Sequence, residues 1–479
     1  MLFNSIQFAF FLPIVVAIYF TLPQRARTAF LLIASCVFYM AFIPAYIFIL
    51  LITILIDYTA GILLERTAGK ARLALLLTSI VATCVVLFIF KYYNFFMGSF
   101  AWVANMAGWH VESRVLYIIL PIGLSFHTFQ SLSYVIEVYA GRQKAEWNFI
   151  TYATYVMFFP QLVAGPIERP QNLLHQFYER HEFDYDRVTS GLKRIAWGLF
   201  KKIVVADRLA LYVNDVYAAP RNYNGLQLSI ATFFFAYQIY CDFSGYSDIA
   251  IGSARILGFE LMENFNTPYY SRSIAEFWRR WHISLSTWFR DYVYRPLGGN
   301  RLGQARVAFN LLVTFLVSGL WHGANWTYVV WGLLNGVYMV FGKSTKALRS
   351  RVYEVIGMRE THWLRHSIGV ASTFVLTCLA WIVFCAKSLP DALYIFSHLW
   401  VGWDLTQVKT PQFQLKHFPA AILGIVLLEV IQLVNRRRPI TITFGELAMP
   451  VRWAGYAAFV FTVILFGVFR QTQFIYFQF

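Results

Sequence analysis

The chain has 479 residues, of which 58% are hydrophobic, 19% aromatic and only 13% charged. A soluble domain carries about 25% charged residues, so this composition excludes an ordinary soluble globular protein and indicates a polytopic, all-α membrane protein. The net charge of +16 does not point to nucleic acid, because the Lys and Arg residues fall mainly in short loops between apolar runs, as in a chain oriented by the positive-inside rule.

The N-terminal stretch Met1–Leu22 lacks a basic leader and a small-residue cleavage site, and reads as a retained span. Apolar runs follow near Ile6–Leu22, Thr28–Phe42, Tyr46–Leu64, Leu73–Phe96 and Leu116–Val138. Each is about long enough for a ~30 Å hydrocarbon core. Basic residues alternate between the loops. Arg25 and Arg27, then Arg66, Lys70 and Arg72, then Arg142 and Lys144 mark one side, whereas the turn at Ile43–Pro44 has none and the loop 97–115 has only Arg114. This alternation places the basic loops in the cytoplasm and the N-terminus outside.

Phe149–Pro170 is apolar but broken by Pro160, Gly165 and Pro166, which suits a re-entrant or interfacial piece. Lys193, Arg194, Lys201 and Lys202 then mark a cytoplasmic approach to a helix ending near Val216. A helix over about Leu226–Leu257 carries Asp242 and Asp248, a polar interior pair that requires partners or water; structural hydrogen bonding and catalysis both account for them.

Tyr269–Arg306 is the longest basic stretch. Trp278, Trp281 and Trp288 recur on one helical face, which predicts an amphipathic helix at the cytoplasmic interface. Anionic headgroups suit Arg279, Arg280, Arg290 and Arg295. A phosphorylated cofactor suits them too, since Arg grips phosphate bidentately. His282 lies in the same helix, where interfacial packing and function both remain open.

Val317–Gly336, VSGLWHGANWTYVVWGLLNG, is apolar yet contains His322. An ionisable group at membrane depth costs roughly 3 kcal/mol or more, so a working histidine is preferred to a core histidine satisfied by a carbonyl. Further spans near Ser367–Cys385, Phe418–Val434 and Trp453–Phe469, with an outer loop 386–417 and basic residues Arg436–Arg438, bring the expected total to about eleven or twelve crossings. Nothing divides the chain, so residues 1–479 form one domain with its catalytic region at about 240–340. The five cysteines lie in or beside apolar runs without metal-ligand spacing and read as small buried hydrophobes.

The segments PIGLSFHTFQSLSYVIEVYAG (121–141), FFPQLVAGPIERP (158–170), YCDFSGYSDIAIGSARILGFELMENFNTPY (240–269), SIAEFWRRWHISLSTWFRDYVYRPLGGNR (273–301), LWHGANWTYVVWGLLNG (320–336) and FIYFQF (474–479) together resemble the membrane-bound O-acyltransferase superfamily. Within it they resemble the bacterial branch that includes the alginate O-acetylation membrane protein. Cys241 and His127 occupy positions often aromatic there. The resemblance implies that His322 is the catalytic histidine and His282 the second characteristic one. It implies transfer of an acetyl group from a cytoplasmic thioester, acetyl-CoA in the first instance, toward the outer face. A periplasmic or membrane-anchored acetyltransferase would then decorate an exopolysaccharide such as alginate. It further implies a multi-pass protein of the bacterial inner membrane, with lipids as neighbours, no permanently bound cofactor, no metal and no nucleic acid.

The residues suit such chemistry. Neutral imidazole serves as a general base near pH 7, and an apolar site favours the neutral form. His322 would act on the acceptor hydroxyl, or attack directly to form an acetyl-imidazole. Asn325, Trp321 and Trp326 are candidate donors to the developing oxyanion, and His282 would orient the thioester at a cytoplasmic entrance. Acetylation of peptidoglycan or cellulose, or D-alanyl transfer toward teichoic acid, keeps the enzyme and changes the substrate. A different class is a lipid-linked sugar transporter, with Asp57, Glu137, Asp242, Asp248 and His322 as its polar path, or a scaffold for a polysaccharide machine.

Overall fold

The computed structural model describes residues 1–112, 115–359, 362–437, 446–469 and 474–475. Arg114, Arg438 and four residues of the terminal FIYFQF motif lie outside them. The described residues are helical, with turns and irregular connections and no strand. Among the described residues, six helices are long and apolar enough to cross a membrane: Pro44–Arg66, Gly69–Met106, Gly303–His322, Trp363–Cys385, Leu415–Arg436 and Met449–Phe466. Ile6–Thr21 is a shorter apolar helix.

The polytopic all-α architecture surrounds a helix that hardly meets lipid. Gly225–Leu257 runs for 33 residues and is buried along most of its length. It starts at a capping box, in which Asn224 Oδ1 accepts from the Gln227 amide at 2.9 Å and Gln227 Oε1 accepts from the Asn224 amide at 3.0 Å. It stops at Gly258, whose φ of 102° few other residues adopt. Helix Tyr185–Leu199 lies against it closely, because small residues meet at the crossing. A Cβ on Gly198 would sit 2.6 Å from the Gly245 carbonyl oxygen, and one on Gly245 would sit 2.7 Å from that of Gly198.

This central contact also holds the buried charges. Lys202 Nζ lies 2.6 Å from Asp242 and 2.9 Å from Asp207. Lys201 pairs with Asp248, which Arg194 also contacts at 3.0 Å. The other oxygen of Asp242 accepts the backbone amide of Ile475 at 2.7 Å, so the pair anchors the C-terminal segment. Lys201 and Lys202, read from charge as marking a cytoplasmic approach, are buried counter-ions to these carboxylates. Removing one partner of a buried pair strands the other charge, at about 3–5 kcal/mol. Lys202→Met is thus expected to lower the unfolding midpoint in detergent well below that of the wild type, and an unchanged midpoint would show that the cluster carries little of the stability.

The transporter path dissolves in the same way. Asp57 is closed off by the hydroxyls of Ser79 and Thr83, at 2.5 Å and 3.1 Å, and by that of Ser131. Glu137 is held by Arg142, Gln171 and Tyr292 at 2.6–2.8 Å. Each carboxylate is satisfied locally, so the five groups do not form a continuous route.

Two further expectations are corrected. Trp278, Trp281 and Trp288 are all buried, and the helix predicted to carry them is broken. Ile274–Arg280 ends, Trp281 is extended, His282 turns left-handed, and Ile283–Phe289 begins. Aromatic partners at each indole outweigh a surface position: Trp288 stacks on Phe129 at 3.8 Å and donates its Nε1–H to the Phe129 carbonyl at 2.9 Å. The second concerns the cysteines: Cys241 is buried, but Cys36, Cys378 and Cys385 are half-buried and Cys84 is exposed on the span Gly69–Met106. The segment Phe149–Pro170 is buried almost throughout, its irregular backbone covered by protein as membrane depth requires.

Candidate active site

The site forms where Gly303–His322 meets Trp326–Ser344. The two helices make a hairpin that glycines bring together. A Cβ on Gly319 would lie 2.3 Å from the Tyr328 carbonyl oxygen, and one on Gly332 would lie 2.3 Å from that of Phe315. His322 is the last residue of a 20-residue helix, about 30 Å from its start at 1.5 Å per residue. With the basic stretch before Arg306 on the cytoplasmic side, as the charge pattern predicts, His322 stands toward the opposite end. It is buried, with its ring at 4.9 Å from Trp331, 5.0 Å from Trp321 and 5.5 Å from Phe384.

Two cavities adjoin it. One, of about 60 Å³, is lined by Lys91, the turn Leu120–Phe126, Val163, Trp321 and His322. The other, of about 320 Å³, is lined by Phe90, Lys91, Leu120, Gly323–Asn325 and Tyr328. Both share Lys91 and Leu120. The turn at Leu120 continues the 97–115 loop, which the charge pattern assigns to the outside.

His282 approaches from the other direction. Its ring lies 6.2 Å from the Trp321 ring, which in turn lies 5.0 Å from that of His322. His282 is fully buried and adopts φ 43°, a conformation that strains a non-glycine residue. Asn264 fixes it: Oδ1 accepts from Nδ1–H at 3.2 Å and from the Ser284 hydroxyl at 2.9 Å, and the Asn264 carbonyl accepts the Ile283 amide at 2.9 Å. That bond sets the tautomer in which Nε2 carries the lone pair. Burial, and after it the nearby His322, hold the His282 imidazole well below its usual pKa, so it is neutral.

The other sequence candidates divide. Asn325 caps the following helix: its Oδ1 accepts the Thr327 amide at 3.0 Å and its Nδ2–H donates to the Lys387 carbonyl at 3.2 Å. Its amide lines the larger cavity but is committed to those bonds. Trp326 is exposed and packs against Phe95 at 5.4 Å, away from His322. Trp321 remains, with its Nε1 buried and without a hydrogen-bond partner among the described residues; Trp331 Nε1 shares that condition and was not singled out by sequence. Asp242 and Asp248 line neither cavity. Arg280 pairs with Glu276 at 2.8 Å, and Arg290 and Arg295 each reach Asp291 at 2.9 Å. Arg279 is exposed and has no ion pair among the described residues. These four stand outside both cavities.

Lys91 and Asn264 escaped the sequence reading. Lys91 carried a signal, a lysine inside the apolar run FIFKYYNFF. Asn264 carried none, since one asparagine in a loop predicts no partner 18 residues away.

A family described as "MBOAT, membrane-bound O-acyltransferase family" matches residues 76–386. The chain is 37% identical to "Probable alginate O-acetylase AlgI" of Pseudomonas aeruginosa over 85% of its own length and 77% of the relative's. It is 33% identical to "Peptidoglycan O-acetyltransferase" of Helicobacter pylori, over 82% and 79%. With "Teichoic acid D-alanyltransferase" of Bacillus subtilis it shares 27%, over 56% and 69%.

Proposed function

This chain belongs to the membrane-bound O-acyltransferase family and is an acyltransferase, and on that premise we propose that it passes an acetyl group from a cytoplasmic thioester, acetyl-CoA, across the bacterial inner membrane for O-acetylation of an exopolysaccharide such as alginate. The observation that carries this reading is that His322 lines the smaller cavity while the buried His282 and His322 both pack against Trp321. Its named relatives support the acetyl group and the polymer.

In the proposed step His322 takes the proton of an acceptor hydroxyl while the hydroxyl oxygen attacks the thioester carbonyl. The C–O bond forms, the C–S bond breaks, and the proton passes from the imidazolium to the departing thiolate. Trp321 Nε1–H, on the wall of the smaller cavity, is the donor proposed for the oxyanion, worth about 3 kcal/mol when aligned. His282, neutral and fixed by Asn264, orients the thioester beside Trp321. A periplasmic or membrane-anchored acetyltransferase completes delivery to the polymer. The peptidoglycan relative supports a second reading with the same chemistry and a glycan of the cell wall as the final acceptor.

The test is acetyl-CoA turnover by the purified protein in liposomes, with acetate measured on the exopolysaccharide and on the peptidoglycan of cells with and without the gene. Loss of acetate from the exopolysaccharide alone supports the first reading, loss from peptidoglycan alone the second, and no turnover with any acetyl thioester overturns both. The arginines give a finer check. If Arg279, Arg280, Arg290 and Arg295 meet the donor's phosphates, a Gln substitution among them removes a charge-assisted bond worth about 1.5–3 kcal/mol and raises KM for acetyl-CoA about tenfold or more. Arg279 is the strongest candidate because no carboxylate holds it. Activity with a short, phosphate-free acetyl thioester should be unchanged. Equal losses with both donors at fixed salt would make the arginines lipid anchors.

A further inference from the structure

Lys91 is the ionisable side chain that borders both cavities, whereas His322 lines the smaller. It sits in a π-helical segment, Phe88–Tyr92, inside the span Gly69–Met106. Such one-turn widenings recur at functional positions, because they turn side chains out of the ordinary helical register. Here the widening brings two consecutive side chains to the end of the histidine helix. Lys91 Nζ donates to the carbonyl of Trp321 at 2.6 Å and to that of His322 at 3.2 Å. Tyr92 Oη donates to the carbonyl of Leu320 at 3.0 Å. Lys91 Nζ also lies 3.4 Å from Ser125 Oγ, on the turn that lines the smaller cavity.

These bonds answer a specific need. The last carbonyls of a helix have no partner within it and carry partial negative charge. At this helix end Lys91 and Tyr92 supply donors to three of those carbonyls. No carboxylate pairs with Lys91 among the described residues, so the helix end itself is what offsets its charge. His322 is the terminal residue of that helix, and Gly323 after it is extended. Without Lys91 and Tyr92 the turn carrying the imidazole would be tethered only from the hairpin side.

We propose that Lys91 is a positioning residue for acyl transfer: its ammonium clamps the terminal carbonyls of the histidine helix and so aims His322 at the cavities. The inference rests on the reading of His322 as the catalytic base. A displacement of about 1 Å at a reacting group is enough to cost on the order of a hundredfold in rate.

The experiment compares Lys91→Met, Lys91→Arg, His322→Ala and the double variant Lys91→Met/His322→Ala in liposomes, by acetyl-CoA turnover and by hydrogen–deuterium exchange of the 316–324 segment. Lys91→Met should lose about a hundredfold in kcat with KM for acetyl-CoA within twofold, and Lys91→Arg should recover at least tenfold of that loss. Exchange should rise at the end of the histidine helix and stay at the wild-type level in the central helix Gly225–Leu257. In the double variant Lys91→Met should add nothing to the loss from His322→Ala. Near wild-type turnover in Lys91→Met, with His322→Ala inactive, overturns the clamp and leaves the catalytic histidine standing. Full turnover in His322→Ala overturns the reading beneath it. A Lys91→Met protein whose exchange rises everywhere assigns Lys91 to general stability and also overturns the proposal.

Discussion

Replacing His322 with alanine is expected to lower acetyl transfer by about a thousandfold or more, within the range general-base catalysis supplies, while the protein accumulates in the membrane at its normal level. The side chain ends its helix on the wall of the smaller cavity and is surrounded mainly by aromatic rings, so its removal deletes a reactive group from a site whose walls stay in place. Folding should suffer little, because the hairpin glycines and the Asn325 cap, not the imidazole, join the two helices. The measurements are polysaccharide acetate in cells lacking the native gene, turnover in liposomes, and protein quantity by immunoblot. His322→Gln, which keeps hydrogen bonding but not basicity, should be as inactive. Normal acetylation by well-expressed His322→Ala would remove this residue from the chemistry. Rapid quenching with acetyl-CoA and no acceptor addresses the covalent alternative: an acetyl adduct on His322 would identify it as nucleophile.

The next largest loss is expected from a single methyl group at the hairpin. Gly319→Ala and Gly332→Ala each place a Cβ 2.3 Å from a carbonyl oxygen of the facing helix, a separation real structures do not sustain. The helices must part, and backbone cannot swing aside as a flexible side chain can. Parting moves His322 relative to Trp331 and Phe384, which belong to the facing helix and to its neighbour. A shift of about 1 Å should cost roughly a hundredfold in turnover. Two positions on the same helix grade the effect. A Cβ on Gly336 would approach Leu312 at 3.1 Å, mostly side chain, and one on Gly342 would meet nothing within 4 Å. Gly336→Ala should therefore lose modestly and Gly342→Ala not at all. Equal turnover in Gly332→Ala and Gly342→Ala would show that hairpin spacing does not set the geometry of His322.

By itself the sequence determined the class of the molecule and its most important side chain. Hydrophobicity over runs of about twenty residues is a local property, and it marks membrane helices without reference to the fold. His322 stood out for the same local reason: a titratable group in an apolar run is expensive wherever the run packs. The motifs around it led to the family, and to His282 with it. Tertiary structure decided everything that depends on what lies opposite a residue. Periodicity put Trp278, Trp281 and Trp288 on one face, but only the facing aromatics and Asn264 reveal why the helix breaks and buries His282 instead. Charge alone marked Lys201 and Lys202 as a basic cluster, and only the fold buries them against Asp248 and Asp242 of the central helix. Lys91 and Trp321 are 230 residues apart in the chain, and their contact exists only because a span-length helix delivers an ammonium to the end of another. Burial and pairing are properties of two surfaces, and a sequence presents one at a time.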